Sequence, residues 1–427
     1  MLAKAENPPA TDPAHRATFF RQSGWLMIAN IAGGALMWAV HFLSKAIPET
    51  EYGLFVTLLS VAMCIPTLPL QMVLAHQTAQ AMATNRQRQL AGLIRLTWLG
   101  TFLLWVAGAA IVLLLQGHIL AHWKISNPAS LWITLGIVLL SLWLPIFWGV
   151  LQGGQNFLWL GWSMMLNAIG RLTVAVIAVT ALGAYAAGLM TGVLVGMILA
   201  AGVAAWQTRP LWTVPSLPFE WSKILREVLP LMLGFAAFQF LFSADTMFVR
   251  NYFTEDESGF YGAAGTLARA LMWLVGPLAS VMFPRIVHSA AKSEKNNLMG
   301  MVFLGTGILA VAGAVSLSVL GPWIVRFVFK PSFVHVATQV LPWYAAAMIP
   351  LSLANVLLNN LLARSSGRVV VPLCLLAAGY GFALTQFHKS LVMVLQTVGL
   401  FNLVLLLICA WFTWGNKVQS PEPKSQA

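Results

Sequence analysis

Apolar residues in this chain are gathered into long blocks that short polar stretches separate. A window of about 19 residues finds twelve such blocks, each close to the length a helix needs to cross the roughly 30 Å hydrocarbon layer of a membrane. They cover residues 21–43, 53–75, 93–115, 129–151, 159–181, 184–206, 228–250, 259–283, 298–320, 336–362, 369–387 and 390–414. The pattern predicts an all-α polytopic membrane protein with about 12 transmembrane helices.

A short repeat divides these spans into two sets of six. Glu51-Tyr52-Gly53 follows span 1, and Glu257-Ser258-Gly259 follows span 7. Two parallel halves of this kind are common among secondary transporters. The predicted divisions are a tail of residues 1–20, an N-lobe of residues 21–206, a linker of residues 207–227, a C-lobe of residues 228–414 and a tail of residues 415–427.

Composition and charge placement agree with a membrane protein. Of the 427 residues, 59% are hydrophobic and 8% charged, whereas soluble domains carry about 25% charged residues. The net charge of +12 could suggest a nucleic-acid partner. Most lysines and arginines, however, fall in the loops on the side of the N-terminus. This bias predicts cytoplasmic termini and removes the need for a nucleic-acid partner.

The beginning of the chain and its cysteines exclude some alternatives. A polar stretch precedes span 1, so we expect a retained anchor rather than a cleaved signal peptide. Cys64, Cys374 and Cys409 lie within apolar spans, which favours buried thiols over disulfides or a zinc site. No nucleotide-binding motif is present, and we predict neither a cofactor nor a metal.

Charged residues inside spans are the first candidates for a site. Asp245 is the one carboxylate within a predicted span, and Arg171 and Arg269 are the arginines that lie away from the span ends. A charge at this depth costs roughly 2.5–3.5 kcal/mol on insertion scales, so it usually faces a partner or a water-filled path. Arg171 lies about 18 Å along span 5, near the midplane. It either caps a carbonyl or pairs with another span, or it attracts an anion. Asp245 and Arg269 form either a structural ion pair or a working site in which Asp245 titrates and Arg269 holds an anionic group.

Polar faces on four spans supply further candidates. Span 1 places Asn30 and His41 on one helical face, either for helix packing or to line a cavity. His41 is either a packed or interfacial histidine or a proton carrier. Asn167 shares a face with Arg171. The remaining candidates are Gln239 on span 7, with Asn355 and Asn359 on span 10.

Short motifs spread over the chain resemble the polysaccharide flippase branch of the multidrug/oligosaccharidyl-lipid/polysaccharide exporter superfamily. They are Glu51-Tyr52-Gly53, Gln152-Gly153 with Phe157, Arg171, Asp245, Gly259 with Tyr261-Gly262, and Phe283-Pro284. The resemblance implies two six-helix lobes around a central cavity and alternating access. It also implies movement of an undecaprenyl-diphosphate-linked oligosaccharide to the outer leaflet of the bacterial inner membrane, as in O-antigen synthesis, without a catalysed bond change. The implied partners are this lipid-linked oligosaccharide and membrane lipids, with polysaccharide polymerase or assembly proteins as candidates.

The sequence departs from two neighbouring branches and leaves two other functions open. Span 1 lacks the acidic residue associated with cation coupling in drug exporters, and twelve spans rather than fourteen argue against peptidoglycan-precursor flippases. A drug or small-molecule antiporter on the same fold is one alternative. The other is a glycosyltransferase that uses a polyprenyl-phosphate sugar, with Glu49 and Glu51 holding a metal or acting as a base.

Overall fold

The computed structural model describes residues 13–217, 221–291, 298–363 and 367–415. Besides three short helical segments at Val40–Ala46, Gly367–Val369 and Trp411–Gly415, its regular elements in these ranges are α-helices. They are α1 (Pro13–Ala39), α2 (Glu49–Met63), α3 (Thr67–Ala83), α4 (Gln87–Leu114), α5 (Gln116–His122), α6 (Ala129–Gly153), α7 (Phe157–Thr180), α8 (Tyr185–Thr208), α9 (Pro210–Thr213), α10 (Trp221–Tyr252), α11 (Glu255–Ala291), α12 (Leu298–Val328), α13 (Pro331–Ala363), α14 (Val370–Gln386) and α15 (Leu391–Ala410). Most of the predicted tails, residues 1–12 and 416–427, and residues 218–220 of the predicted linker lie outside the described ranges.

Every predicted span falls on one or two helical segments. Ten described helical segments are long and apolar enough to cross a membrane. The shorter apolar helix α14 corresponds to span 11, and α11 covers span 8. The all-α polytopic class is therefore confirmed.

The second predicted span is interrupted rather than continuous. The apolar segment from Glu49 to Ala83 consists of α2 and α3, which are separated at residues 64–66. Pro66 stands at the break, and proline lacks the N–H that would continue the backbone hydrogen-bond ladder. The amide of Cys64 still donates to Ser60 O at 3.2 Å, so α2 ends with its last turn closed.

Contacts divide the chain into two compact units. Of the described residues, those within 1–47 and 67–225 form unit 1, and those within 48–66 and 226–427 form unit 2. Residues 48–66, which the sequence placed in the N-lobe, therefore pack in the second unit. The lobe boundaries as functional divisions stay a prediction.

In unit 1, α7 packs against both α1 and α8, and α6 packs against α3, α4 and α8. The crossing of α7 and α8 is close because small residues meet there. A Cβ on Gly192 would lie 2.6 Å from the carbonyl oxygen of Arg171, and one on Gly170 would lie 3.1 Å from the Cα of Gly196. Small residues allow this backbone approach in membrane helices, and the approach fixes the segment of α7 that carries Arg171.

In unit 2, α13 packs against α11, α12 and α15, and α2 packs against α11. The core around α2 is aromatic. The Tyr52 ring is fully buried and contacts Phe329 edge-on at 5.5 Å and Phe333 at 5.8 Å between ring centroids. Helix α2 is therefore an integral part of this unit's core.

Candidate functional site

Arg171 is a half-buried cation that no described carboxylate of unit 1 neutralises. Its Nε is buried and has no hydrogen-bond partner, and no carboxylate forms an ion pair with it in the described parts of the chain. A guanidinium carries five N–H donors in a planar fork that suits carboxylates and phosphates. At this depth in a membrane-spanning helix, the positive charge of Arg171 is not balanced by any described carboxylate.

Two side chains from the N-terminal segment extend this donor-rich region. His41 is 7% exposed and interacts electrostatically with Arg171. The Trp38 ring lies 6.3 Å from the His41 ring, and its buried Nε1 lacks a hydrogen-bond acceptor. Arg171 and Trp38 thus each present a buried N–H donor that lacks an acceptor, and an anion supplies acceptors for such donors.

The two asparagines predicted in this unit lie in different environments. Asn167 is 9% exposed, and its Oδ1 faces Gly196 of α8, 3.0 Å from where a Cβ would stand. Asn30 is exposed on α1. An amide exposed on a membrane-spanning helix requires a hydrogen-bond partner that hydrocarbon does not provide. Asn30 therefore marks a face of α1 that suits a polar surrounding.

Unit 2 contains a second buried arginine in the opposite situation. Arg269 Nη2 lies 2.7 Å from Asp245 Oδ1 and donates to Thr246 Oγ1 at 2.8 Å. Its Nε donates to the carbonyl oxygen of Phe242 at 3.0 Å. The carboxylate is 1% exposed, so the charges neutralise each other away from solvent.

Two tyrosines donate hydrogen bonds to the second carboxylate oxygen of Asp245. Tyr261 OH donates to Asp245 Oδ2 at 2.7 Å, and Tyr344 OH donates to the same oxygen. Gly265 makes room for this arrangement because a Cβ there would stand 2.9 Å from Cε1 of the Tyr344 ring. Each oxygen of the carboxylate thus has a donor, as a stable buried charge requires.

The other polar candidates of unit 2 are also engaged. Gln239 Nε2 donates to the carbonyl oxygen of Met63 at 2.9 Å, at the C-terminal end of α2. Asn359 Nδ2 donates to Asn355 O at 2.8 Å and to Asn355 Oδ1 at 3.0 Å. These side chains form separate local contacts rather than one cluster with Arg269.

The repeated motif is the point where α2 and α11 cross. A Cβ on Gly53 would lie 2.5 Å from Ser258 Oγ and 2.7 Å from the backbone nitrogen of Gly259. Arg250, 1% exposed, donates from Nη1 to Thr50 O at 3.2 Å and to Ser258 Oγ at 3.3 Å. The two copies of the motif therefore meet within unit 2, and a buried arginine ties them together.

The acidic pair considered for a transferase site is engaged in the same region. Glu49 accepts a hydrogen bond from the Ser332 hydroxyl, and Glu51 interacts electrostatically with Arg250. No group of three or more potential metal ligands occurs among the described residues. Both carboxylates thus contribute to packing between helices of unit 2.

Sequence reasoning did not single out several of these groups. Tyr261, Tyr344 and Trp38 contribute the polar atoms described above, and Arg250 stands at the last position of predicted span 7. Tyrosine is uncommon in this chain, at 6 residues. Tyr261 and Tyr344 both fall inside predicted spans, where a hydroxyl needs a hydrogen-bond partner, and this was the available signal for the tyrosines. Trp38 had no such signal, because tryptophan is common in membrane helices near their ends.

A family model described as "Polysaccharide biosynthesis protein" matches residues 19–290. No curated protein matches the chain in sequence.

Among solved structures, two relatives share the fold over most of both chains. An inward-facing multidrug resistance MATE family transporter of the MOP superfamily has a TM-score of 0.68 and 15% identity, covering 89% of this chain and 92% of its own. The lipid II flippase MurJ in an inward closed conformation has a TM-score of 0.67 and 12% identity, covering 92% and 87%.

A MOP superfamily transporter from Pyrococcus furiosus, whose structure is described as having a binding pocket of reverse polarity, has a TM-score of 0.56 and 13% identity, covering 93% and 94%. These solved structures are of transporters, and at this level of identity they establish the fold alone.

Proposed function

Because the chain belongs to the polysaccharide biosynthesis protein family, we propose that it flips a polyprenyl-diphosphate-linked oligosaccharide between membrane leaflets by alternating access. Family membership and the fold shared with a lipid II flippase support this function. Sugars and a diphosphate cannot cross about 30 Å of hydrocarbon unaided. A protein that moves them must offer polar groups and positive charge at membrane depth.

The observation that carries the proposal is the unpaired guanidinium of Arg171. Structural arginines in membrane spans pair with carboxylates or carbonyls, as Arg269 does, whereas Arg171 Nε is buried without a partner. We propose that the diphosphate of the carrier is the missing anion. Asn167 lies on α7 with Arg171, His41 lies in the short helical segment after α1, and Asn30 contributes a polar exposed position on α1.

In unit 2 we propose a different division of roles. Gln239, Asn355 and Asn359 supply polar surface for the sugar part of the substrate when local contacts open. Arg269 joins the head-group site only in a state where its bond to Asp245 is broken, and that exchange would be the coupling step of the cycle. Without such a state, the pair holds α10 and α11 together.

We further propose that no covalent bond changes during the reaction and that the carrier is undecaprenyl diphosphate in a bacterial inner membrane, with both termini cytoplasmic. The driving force is then an ion gradient or consumption of the flipped product outside. A polysaccharide polymerase or assembly protein would consume that product.

The test uses a strain that lacks the protein and is complemented with variants. Lipid-linked oligosaccharide is quantified in spheroplasts, together with its accessibility to an external glycan-modifying enzyme. Arg171→Ala should accumulate a full-length, inaccessible intermediate while the variant reaches the membrane. Arg209→Ala is the matched control, because Arg209 lies exposed over the Trp206 ring at 3.9 Å; it should behave as the unaltered protein.

Two results would contradict the proposal. An intermediate truncated by one sugar would identify a glycosyltransferase. Normal polymer and normal accessibility with Arg171→Ala would remove Arg171 from the site.

A further inference from the structure

An apolar groove of about 440 Å³ runs between α10 and α14 in unit 2. It is lined by Phe240, Phe248, Ala377, Ala378, Gly381, Phe382 and Thr385. The Phe240 ring meets the Tyr380 ring edge-on at 6.1 Å, and its Cζ lies 3.4 Å from where a Cβ on Gly381 would stand. The groove exists because glycine supplies no side chain at this point.

One end of the groove is polar and cationic. Tyr252 lies one helical turn beyond Phe248, and its ring stacks on the His388 ring at 4.0 Å with an angle of 17°. His388 Nδ1 is buried and has no hydrogen-bond partner within the described chain. The adjacent Lys389 is exposed and forms no ion pair with a described carboxylate. An aromatic platform, an unsatisfied ring nitrogen and a cation therefore stand where the groove ends.

A second groove in unit 2 has a similar size but no charge, and it serves as a comparison. The groove between α13 and α15 has the same volume, about 440 Å³, and its lining includes Trp343, Gln396 and Gly399 but no charged residue. Any lipid tail can cover such a surface. The groove between α10 and α14 differs in having positive charge and an unsatisfied polar atom at its end, and these features select a head group.

We propose that the groove between α10 and α14 binds an anionic phospholipid. One acyl chain occupies the apolar part beside Gly381, and the phosphate meets Lys389 and His388 Nδ1 at the end of α14. Basic residues near the membrane surface attract anionic lipids with a gain of about fivefold in affinity for each residue. A phosphate oxygen also supplies the hydrogen-bond partner that His388 Nδ1 lacks. The site lies within unit 2 and is independent of the proposed transport of an oligosaccharide.

The test measures lipid binding to the purified full-length protein by native mass spectrometry. Phosphatidylglycerol and phosphatidylcholine with identical acyl chains are compared, so that only the head group differs. Lys389→Gln should reduce the preference for phosphatidylglycerol about fivefold. His388→Phe keeps a ring to stack on Tyr252 but removes the nitrogen, and it should reduce the preference as well.

Matched variants separate the groove from general membrane contact. Gly381→Leu fills the groove and should displace the bound phosphatidylglycerol, whereas Gly399→Leu in the uncharged groove should not. Lys124→Gln removes an exposed lysine of unit 1 and should leave the preference unchanged.

Three results would overturn the proposal. The first is equal binding of the two phospholipids by the unaltered protein. The second is an equal effect of the two glycine substitutions. The third is displacement of phosphatidylglycerol by a polyprenyl phosphate at far lower concentration, which would make the carrier lipid the occupant. A failure of oligosaccharide flipping would leave all three measurements interpretable, because none of them involves transport.

Discussion

The pair of Asp245 and Arg269 permits a prediction whose magnitude follows from its surroundings. In Asp245→Asn the charge of Arg269 loses its counterion while its bonds to Thr246 Oγ1 and Phe242 O remain. In Arg269→Met the carboxylate keeps the hydroxyl donors of two tyrosines, and hydrogen bonds to a charged acceptor are stronger than neutral ones. The loss of Asp245 should therefore be the more harmful change.

Breaking a buried ion pair by removing one partner costs about 3–5 kcal/mol, because an uncompensated charge remains. We expect the loss of unfolding free energy to lie at the upper end of that range for Asp245→Asn and at the lower end for Arg269→Met. The double variant leaves no charge, so its free energy of unfolding should exceed the additive expectation by about 2–3 kcal/mol, a coupling typical of groups within one network. The control is Glu255→Gln, which breaks a pair with Arg250 whose glutamate is 41% exposed. Arg250 keeps Glu51 nearby and its hydrogen bonds to Thr50 O and Ser258 Oγ, so the change should cost less than about 1 kcal/mol.

The assay is equilibrium denaturation of the purified variants in detergent, with transport measured in parallel on each. Recovered stability together with lost transport in the double variant would identify a pair that also works in the cycle. Strict additivity of the two single costs, or an Asp245→Asn protein as stable as the unaltered one, would refute the reasoning that these charges stabilise each other.

Two further predictions concern how α2 is held in unit 2. Gly53→Ala should destabilise the protein, since its Cβ would stand 2.7 Å from the backbone nitrogen of Gly259 and overpacking costs about 1–3 kcal/mol. The control is Gly100→Ala, whose new Cβ has no atom within 4 Å and which should be neutral or stabilising by up to about 1 kcal/mol. Equal falls in the melting temperatures of Gly53→Ala and Gly100→Ala would contradict this prediction. Ser243→Cys should form a disulfide with the native Cys64 on mild oxidation, because Cys64 Sγ lies 3.2 Å from Ser243 Oγ. A gel-shift assay with a thiol reagent detects the bond, and persistent free thiols would show that α2 leaves this position.

Much of the fold was predictable because the membrane imposes a simple rule. Backbone polar groups cannot go unsatisfied in hydrocarbon, so long apolar stretches must be helices. The break between α2 and α3 was less visible, since Pro66 stands in an apolar context and its neighbours give no polar signal. The packing of residues 48–66 with unit 2 depends on contacts far apart in sequence, such as the donation from Gln239 to Met63 O, and hydropathy does not report such contacts.

The candidate site was only partly predictable for a similar reason. Charges inside apolar spans can be found from sequence, and Asp245, Arg171 and Arg269 were found in this way. Which of them has a partner depends on helix rotation and crossing, and these follow from small residues such as Gly265 and Gly196 at particular contacts. Sequence alone therefore left the same two interpretations open for both arginines.

The two arginines differ in whether their N–H donors are satisfied, and this difference favours Arg171 as the anion site. A buried guanidinium is tolerated at low cost when its donors are satisfied, and around Arg269 a carboxylate, a hydroxyl and a carbonyl meet that requirement. Around Arg171 no described carboxylate forms an ion pair, and the Nε of Arg171 and the Nε1 of Trp38 are both buried donors without an acceptor. Substitution of such neighbours by a carboxylate would lower the cost of the charge, yet it would also fill the position with a permanent anion. A protein that must bind and release an anion gains from leaving that position empty, and the unsatisfied donors of Arg171 are what such a requirement predicts.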